Sequence, residues 1–249
     1  MLFFSRKIMT SGWKENSGHF FHKIRQCLKL DSSFHRDKLI KTTLLPFHDK
    51  LALLDLGCGP HSPLYRALEK NGSYWIGVDL NLEYLRKSKH VPIHDDYICA
   101  DVRFLPFRRK CVDVTLALEI VEHMAKRDGE TFLNTLECLT RSLIIVSTPN
   151  GYRPQYPVSN TDAYQAHLSS WSTTDFKSRG YIVVGWDGPR FLRDLAFKAV
   201  GRTYQKPRNV MDRLVNSMIL FPLELFRGFY KYPPASRASQ LFYIKKMSK

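Results

Sequence analysis

One stretch constrains this chain more than any other: Leu53-Leu54-Asp55-Leu56-Gly57-Cys58-Gly59-Pro60. A short apolar run that stops at two glycines reads as a strand buried on both faces, followed by a tight turn. Glycine tolerates a left-handed backbone and lets a ligand approach the peptide closely. Asp79 follows at the tip of the next apolar run, 20 residues after Gly59. In doubly wound α/β proteins an acid at that place accepts hydrogen bonds from ribose hydroxyls.

A dinucleotide fits this loop poorly. The third glycine of a G-x-G-x-x-G turn is missing, and Ser62 stands in its place. Asp55 lies two residues before the first glycine, where a carboxylate repels a pyrophosphate. The same carboxylate suits a ligand carrying an ammonium and a sulfonium, and S-adenosylmethionine carries both.

The rest of the chain supports an alternation of strands and helices. Strands are expected at Leu51–Leu56, Tyr74–Val78, Tyr97–Ala100, Val112–Leu118, Leu143–Ser147, Tyr181–Trp186 and Gln240–Lys245. Ser62-Pro63 reads as a helix start and Asn71-Gly72 as its stop. Asn81 caps a short helix to about Lys89, and Asp128 caps one reaching about Thr140. Strands separated by helices imply parallel pairing through right-handed crossovers. Residues 1–45 read as a basic helical extension, with Phe20, Ile24, Cys27 and Leu28 at helical spacing. Residues 46–249 form the main domain, and 187–238 are expected as a helical insertion before the last strand.

Composition narrows the class. A chain of 249 residues with 44% hydrophobic and 13% aromatic residues has material for a substantial core. Five scattered cysteines without a CxxC pair argue against a disulfide framework or a cysteine zinc site, and fit a reducing, cytoplasmic compartment. The N-terminal apolar run is too short for a signal peptide. No stretch reaches the ~18 apolar residues of a spanning helix. The net charge of +15 favours anionic partners such as RNA, acidic lipid headgroups or phosphorylated metabolites.

Taken together, the glycine loop resembles motif I of the class I S-adenosylmethionine-dependent methyltransferases. Gly77-Val78-Asp79-Leu80 resembles the acidic loop after it, and Asp101-Val102-Arg103-Phe104-Leu105-Pro106-Phe107 the segment that brackets adenine. Val112-Asp113-Val114 through Glu119-Ile120-Val121-Glu122-His123 is similar to the fourth-strand motif. The resemblance covers roughly residues 50–185. It implies a Rossmann-like, doubly wound, seven-stranded sheet with six parallel strands and the last antiparallel. It also implies that Gly57 and Gly59 approach the methionine part of the cofactor, with Asp55 near its amino group. Asp79, with Leu80 beside it, would bind the ribose. Asp101 would face the adenine amino group, with the Val102 amide beside the ring.

The methyl donor is already activated, so catalysis is mainly alignment, worth ~7–11 kcal/mol. An oxygen acceptor must also lose a proton to a base or a metal. Glu119, Glu122 and His123 fall at i, i+3 and i+4. A helical turn beginning at Glu119 places all three on one face, where they can ligate a divalent ion or act as bases. His167, four residues before Trp171, is a further candidate. The set resembles two subgroups, the ubiquinone-pathway O-methyltransferases and the small-RNA terminal 2′-O-methyltransferases. The RNA subgroup implies a divalent metal, Mg²⁺ or Mn²⁺ for example, held by Glu119, Glu122, His123 and His167. In metal-free relatives His123 caps or packs, and Glu119 lines the cofactor pocket.

Phe104, Phe107, Tyr152, Tyr156, Tyr164 and Trp171 are candidates for the pocket rim or for core cover. Residues 187–238 mix aromatic and basic side chains, which suits a lid, a dimer contact or peripheral rest on an anionic membrane. The expected activity is O-methylation of a small or lipid-linked metabolite. RNA 2′-O-methylation with a divalent metal is the alternative, and a non-catalytic binding module of the same fold is the third.

Overall fold

The computed structural model describes residues 32–47, 50–62, 64, 70, 72–91, 93–155, 160–189 and 234–247. Seven strands make one sheet: β1 (Ala52–Leu56), β2 (Tyr74–Asp79), β3 (Asp96–Cys99), β4 (Val112–Leu118), β5 (Thr140–Pro149), β6 (Ile182–Pro189) and β7 (Ala238–Lys246). Their spatial order is β3-β2-β1-β4-β5-β7-β6. β1 pairs in parallel with β2 and β4, and the parallel pairing continues to β3 and β5. β7 runs antiparallel between β5 and β6. Six strands therefore point one way and the last is reversed.

This topology fixes where a ligand can sit. The chain passes from β1 outward to β2 and β3, then returns to β4 on the other side of β1. The crevice at that switch, beyond the carboxyl ends of β1 and β4, is the ordinary binding place in such sheets.

Successive side chains of a strand face opposite sides, so apolar runs such as Leu53-Leu54 feed two cores. One core combines Leu54, Leu56, Val78, Ile144 and Val146 with Phe132, Leu133, Leu136 and Leu139. Those last four share one face of helix α3 (Lys126–Leu139), labelled after α1 (Ser32–Leu44) and α2 (Leu82–Ser88). The other core combines Leu53, Trp75, Val114, Leu116, Leu143 and Ile145 with Ile40 and Leu44 of α1. Each fully buried side chain of this kind contributes about 1.5–3 kcal/mol. Gly129 in α3 is required by contact: a Cβ there would lie 2.4 Å from Trp171 Cζ2.

Caps explain several boundaries. Asn81 opens α2 by accepting from the amides of Glu83 and Tyr84. Ser172 and Asp175 form a capping box at α4 (Thr173–Lys177). Asp128 is not a cap; α3 starts at Lys126, and Asp128 lies in its first turn, where a carboxylate suits the helix dipole. β5 extends to Pro149 because Thr148 and Pro149 pair with Leu241 and Gln240 of β7. β6 reaches Pro189 and β7 begins at Ala238, so the expected 187–238 insertion is shortened at both ends. Residues 190–233, the expected helix over 63–71 apart from Leu64 and Lys70, and the extension over 1–31 lie outside the described residues. Among the described residues, no helix is long and apolar enough to cross a membrane.

Candidate active site

The turn after β1 is shaped by two glycines with positive φ, +66° at Gly57 and +59° at Gly59. A Cβ at Gly57 would fall 1.9 Å from Ile120 Cδ1, so that glycine is also required by packing. The turn is held from the side of β2. Cys58 N donates to Val78 O at 3.0 Å. Gly59 N donates to Asp79 Oδ2 at 2.9 Å, and Asn81 N to Asp79 Oδ1 at 2.8 Å. Burial raises the Asp79 carboxyl, against the pull of those two amides.

A cleft of about 390 Å³ opens at this turn. Gly57, Gly59, Asp79, Leu80, Asp101, Val102 and Glu119 all line it, and so do His123, Tyr164 and Leu168. A cleft of this size, with backbone and a few polar groups converging, is typical of a small-molecule site. Asp101 caps the 3-10 turn Val102–Phe104 and is paired with Arg103, whose Nε lies 3.0 Å from both carboxylate oxygens. The guanidinium holds the Asp101 carboxyl below its ordinary value.

Asp55 is placed differently from expectation. It is buried and does not line the cleft. Its Oδ2 accepts the Ser62 hydroxyl at 2.6 Å and lies 3.0 Å from His94 Nε2.

Beyond β4 the expected single helical turn does not form. Glu119 takes a left-handed backbone, φ +56°, and a 3-10 turn begins only at Val121. Glu119 is fixed by β5: its amide donates to Ser147 O at 2.9 Å, and its Oε1 accepts the Ser147 hydroxyl at 2.8 Å. Burial raises its carboxyl, and Arg153 and Arg36 pull it part of the way back.

The following turn is gripped by the loop after β5. Leu168 N and Ser169 N both donate to Glu122 O, at 2.8 and 3.1 Å. The indole of Trp171 donates to Val121 O and Ser169 Oγ. His167 is thereby brought against His123, with ring centroids 4.8 Å apart. Glu122, His123 and His167 each present one ligand atom, all within 4.8 Å of one another. Glu119 is outside this set; its carboxylate accepts the Ser147 hydroxyl.

The cluster is electrically unusual. His123 Nδ1 lies 3.2 Å from Ala166 O, and His167 Nδ1 lies 2.6 Å from Arg153 O. A carbonyl accepts only, so each Nδ1 carries hydrogen and each Nε2 of a neutral ring keeps its lone pair. Burial lowers both imidazoles, His167 to about 4 with His123 adding to the shift. Both carboxylate oxygens of Glu122 are buried without a hydrogen-bond partner among the described residues. Burial, then the nearby Glu119, pushes its carboxyl well up. Two neutral imidazoles and an orphaned carboxylate are a donor set that fits a divalent ion of the Mn²⁺, Fe²⁺ or Zn²⁺ type.

The aromatic candidates separate cleanly. Trp171 is core, 1% exposed, and Phe107 packs on the same core. Phe104 and Tyr152 are exposed. Tyr164 lines the cleft, where its hydroxyl accepts Asn81 Nδ2 at 2.6 Å. Tyr156 lies outside the described residues. The sequence reading passed over His94 and the Asn81–Tyr164 bond. The only available signal for His94 was Gly77, a lone glycine inside a strand, which marks a close approach.

Residues 54–142 match a family model described as a methyltransferase domain. A comparison with curated proteins gives no match. Among solved structures, the chain is similar to the methyltransferase domain of bacterial CtHen1, at 16% identity, covering 87% of this chain and all of that one with a TM-score of 0.53. It is also similar to a chain of the complex between the Haloferax volcanii Trm112 methyltransferase activator and a methyltransferase, at 15% identity, with 86% and 90% covered and a TM-score of 0.53. A third likeness is to the MccD protein, at 14% identity, with 84% and 96% covered and a TM-score of 0.50. At these identities the structural likeness concerns the fold.

Proposed function

We propose that this chain is a class I S-adenosylmethionine-dependent methyltransferase and that it methylates a hydroxyl oxygen whose proton is handled by Glu122, His123 and His167. One observation carries the reading. The buried Glu122 carboxyl stands beside two anchored, neutral imidazoles, and His123 of that set lines the cleft. A neutral amine attacks through its own lone pair and can shed its proton afterwards, whereas an alcohol is a poor nucleophile until a base takes its proton as the methyl arrives.

The methyl passes in line from the donor sulfonium to the acceptor oxygen, and the acceptor proton leaves to a base. Gly57, Gly59 and Asp79 would seat the donor. Asp79 would accept from its ribose hydroxyls, and Asp101 with Val102 would border its adenine. The Nε2 lone pair of His123 or His167 would take the proton, with the Glu122 carboxyl beside it. Glu122, His123 and His167 would hold a divalent ion if one is bound, and it would supply acidification of the acceptor hydroxyl.

The acceptor placed first is a small or lipid-linked metabolite. Leu80 and Leu168 leave apolar surface exposed on the cleft wall, which supports an apolar acceptor. The second reading is a ribose 2′-hydroxyl of RNA, favoured by the +15 charge and by the metal-type donor set.

The test is transfer of a labelled methyl from S-adenosylmethionine to a panel of acceptors, with EDTA and with added Mn²⁺. The panel holds phenols, lipid-linked alcohols, and short RNAs with free or 2′-deoxy terminal riboses. Hydroxyl acceptors should be labelled, and Glu122→Gln and His167→Gln should lose turnover. Labelling of amines alone, or wild-type turnover by both variants, overturns the reading. Turnover unchanged by EDTA removes the metal and leaves the imidazole base.

A further inference from the structure

Behind the glycine turn lies a buried polar set that the proposed chemistry does not use. His94 precedes β3, and its side chain is 0% exposed. Its Nε2 is 3.0 Å from Asp55 Oδ2, the oxygen that also accepts the Ser62 hydroxyl at 2.6 Å. Ser62 Oγ in turn accepts the Leu64 amide at 3.2 Å. An ionised carboxylate only accepts, so the hydrogen of the His94–Asp55 bond belongs to the imidazole.

The ring occupies room made by a missing side chain. Asp55 and Gly77 are register partners on β1 and β2, so they lie side by side on one face of the sheet. A Cβ on Gly77 would come within 2.9 Å of His94 Nδ1, 3.0 Å of its Cγ and 3.1 Å of Cys58 Sγ. His94 and the loop residue Cys58 thus both pack over β2 where Gly77 lacks a side chain. The edge of its ring also meets Tyr97, with centroids 5.2 Å apart.

We infer that His94 is a positioning residue for the cofactor turn, holding Gly57–Ser62 through Asp55 in the shape that receives the methyl donor. The turn is clamped between two carboxylates. Asp79 holds the Gly59 amide from the cleft side, and Asp55 holds Ser62 from the protein side. Neither His94 nor Asp55 lines the cleft, so the effect of His94 on the donor runs through the turn. Without His94, Asp55 keeps one donor, and a gap opens under Cys58. The turn then shifts to resatisfy the carboxylate, and donor affinity falls while the acceptor cluster is untouched.

The experiment measures S-adenosylhomocysteine affinity by calorimetry, and unfolding temperature, for wild type, His94→Leu, His94→Gln and Gly77→Ala. His94→Leu fills the space without a donor, and the Gln amide restores a donor where Nε2 stood. Gly77→Ala displaces the ring while keeping the imidazole. His94→Leu and Gly77→Ala should weaken binding about tenfold or more, and His94→Gln should stay within about threefold of wild type. Wild-type affinity in both His94→Leu and Gly77→Ala overturns the inference. So does a His94→Gln protein that binds as weakly as His94→Leu, since packing alone would then explain the loss. If His94→Leu does not fold, Gly77→Ala and His94→Gln decide the matter by the same criteria.

Discussion

His123 and His167 meet edge to face, 4.8 Å apart at 78°, each tied through Nδ1 to a main-chain carbonyl. The two carbonyls, Ala166 O and Arg153 O, belong to the loop that grips the Val121–His123 turn. The tautomers are therefore fixed by main chain, and both Nε2 atoms remain available for a proton or a metal.

The pH dependence of stability should carry the mark of His167. Its imidazole is lowered from 6.5 to about 4, so between those values the unfolded chain binds the extra proton and the native state does not. Stability from this group is complete above pH 6.5 and is lost as pH falls toward 4. Urea unfolding from pH 4 to 7 should show that rise, and His167→Gln should flatten it. Equal slopes in both proteins would remove the assignment.

Glu122 works in the opposite sense. Its raised carboxyl means that the native state holds a proton which the unfolded chain releases above pH 4.5, so this group costs stability at neutral pH. Glu122→Gln should melt higher than wild type at pH 7.5 when metal is chelated, by roughly 2–4 °C for each kcal/mol relieved. The same variant should be inactive. A lower melting temperature would mean that the carboxylate already has a stabilising partner.

The two loop glycines should fail differently. Alanine at Gly57 meets Ile120 and also strains a left-handed backbone, whereas alanine at Gly59 meets no protein atom within 4 Å. The backbone strain alone costs about 1–2 kcal/mol at either site. Gly57→Ala should therefore lose clearly more stability than Gly59→Ala. Gly59→Ala, whose methyl faces open space at the cleft, should mainly weaken S-adenosylhomocysteine binding. Melting curves and calorimetry on both variants check the order.

Tyr164 should act as a clasp over the donor. On the cleft wall its hydroxyl takes the Asn81 side-chain amide, and such a bond is worth about 0.5–1.5 kcal/mol net. Tyr164→Phe should release S-adenosylhomocysteine several-fold faster in stopped flow, with little change in melting temperature. An unchanged release rate would deny the clasp.

Much of this was legible in the sequence for physical reasons. Leu51–Leu54 and Leu116–Leu118 are apolar without alternation, which suits strands covered on both faces, and Gly57-Cys58-Gly59 can hardly be anything but a turn. Asn81 declares its cap by residue type. What failed depended on contacts between distant segments. Nothing about Glu119 favours a left-handed backbone; the grip of Ser147 on a neighbouring strand imposes it. Asp55 was expected near the donor's amino group, and nothing in its surroundings along the chain announces its bond to His94, 39 positions away. His167 was singled out by its spacing to Trp171, but its meeting with His123 needed the folded loop.

The central claim is that the hollow bounded by Gly57, Asp79 and Asp101 seats S-adenosylmethionine. Calorimetric titration of the protein with S-adenosylhomocysteine, beside Asp79→Ala, tests it most directly. Saturable one-to-one binding that weakens at least about tenfold in Asp79→Ala is the predicted result. Absence of binding to the wild-type protein, or affinity indifferent to residue 79, would contradict it.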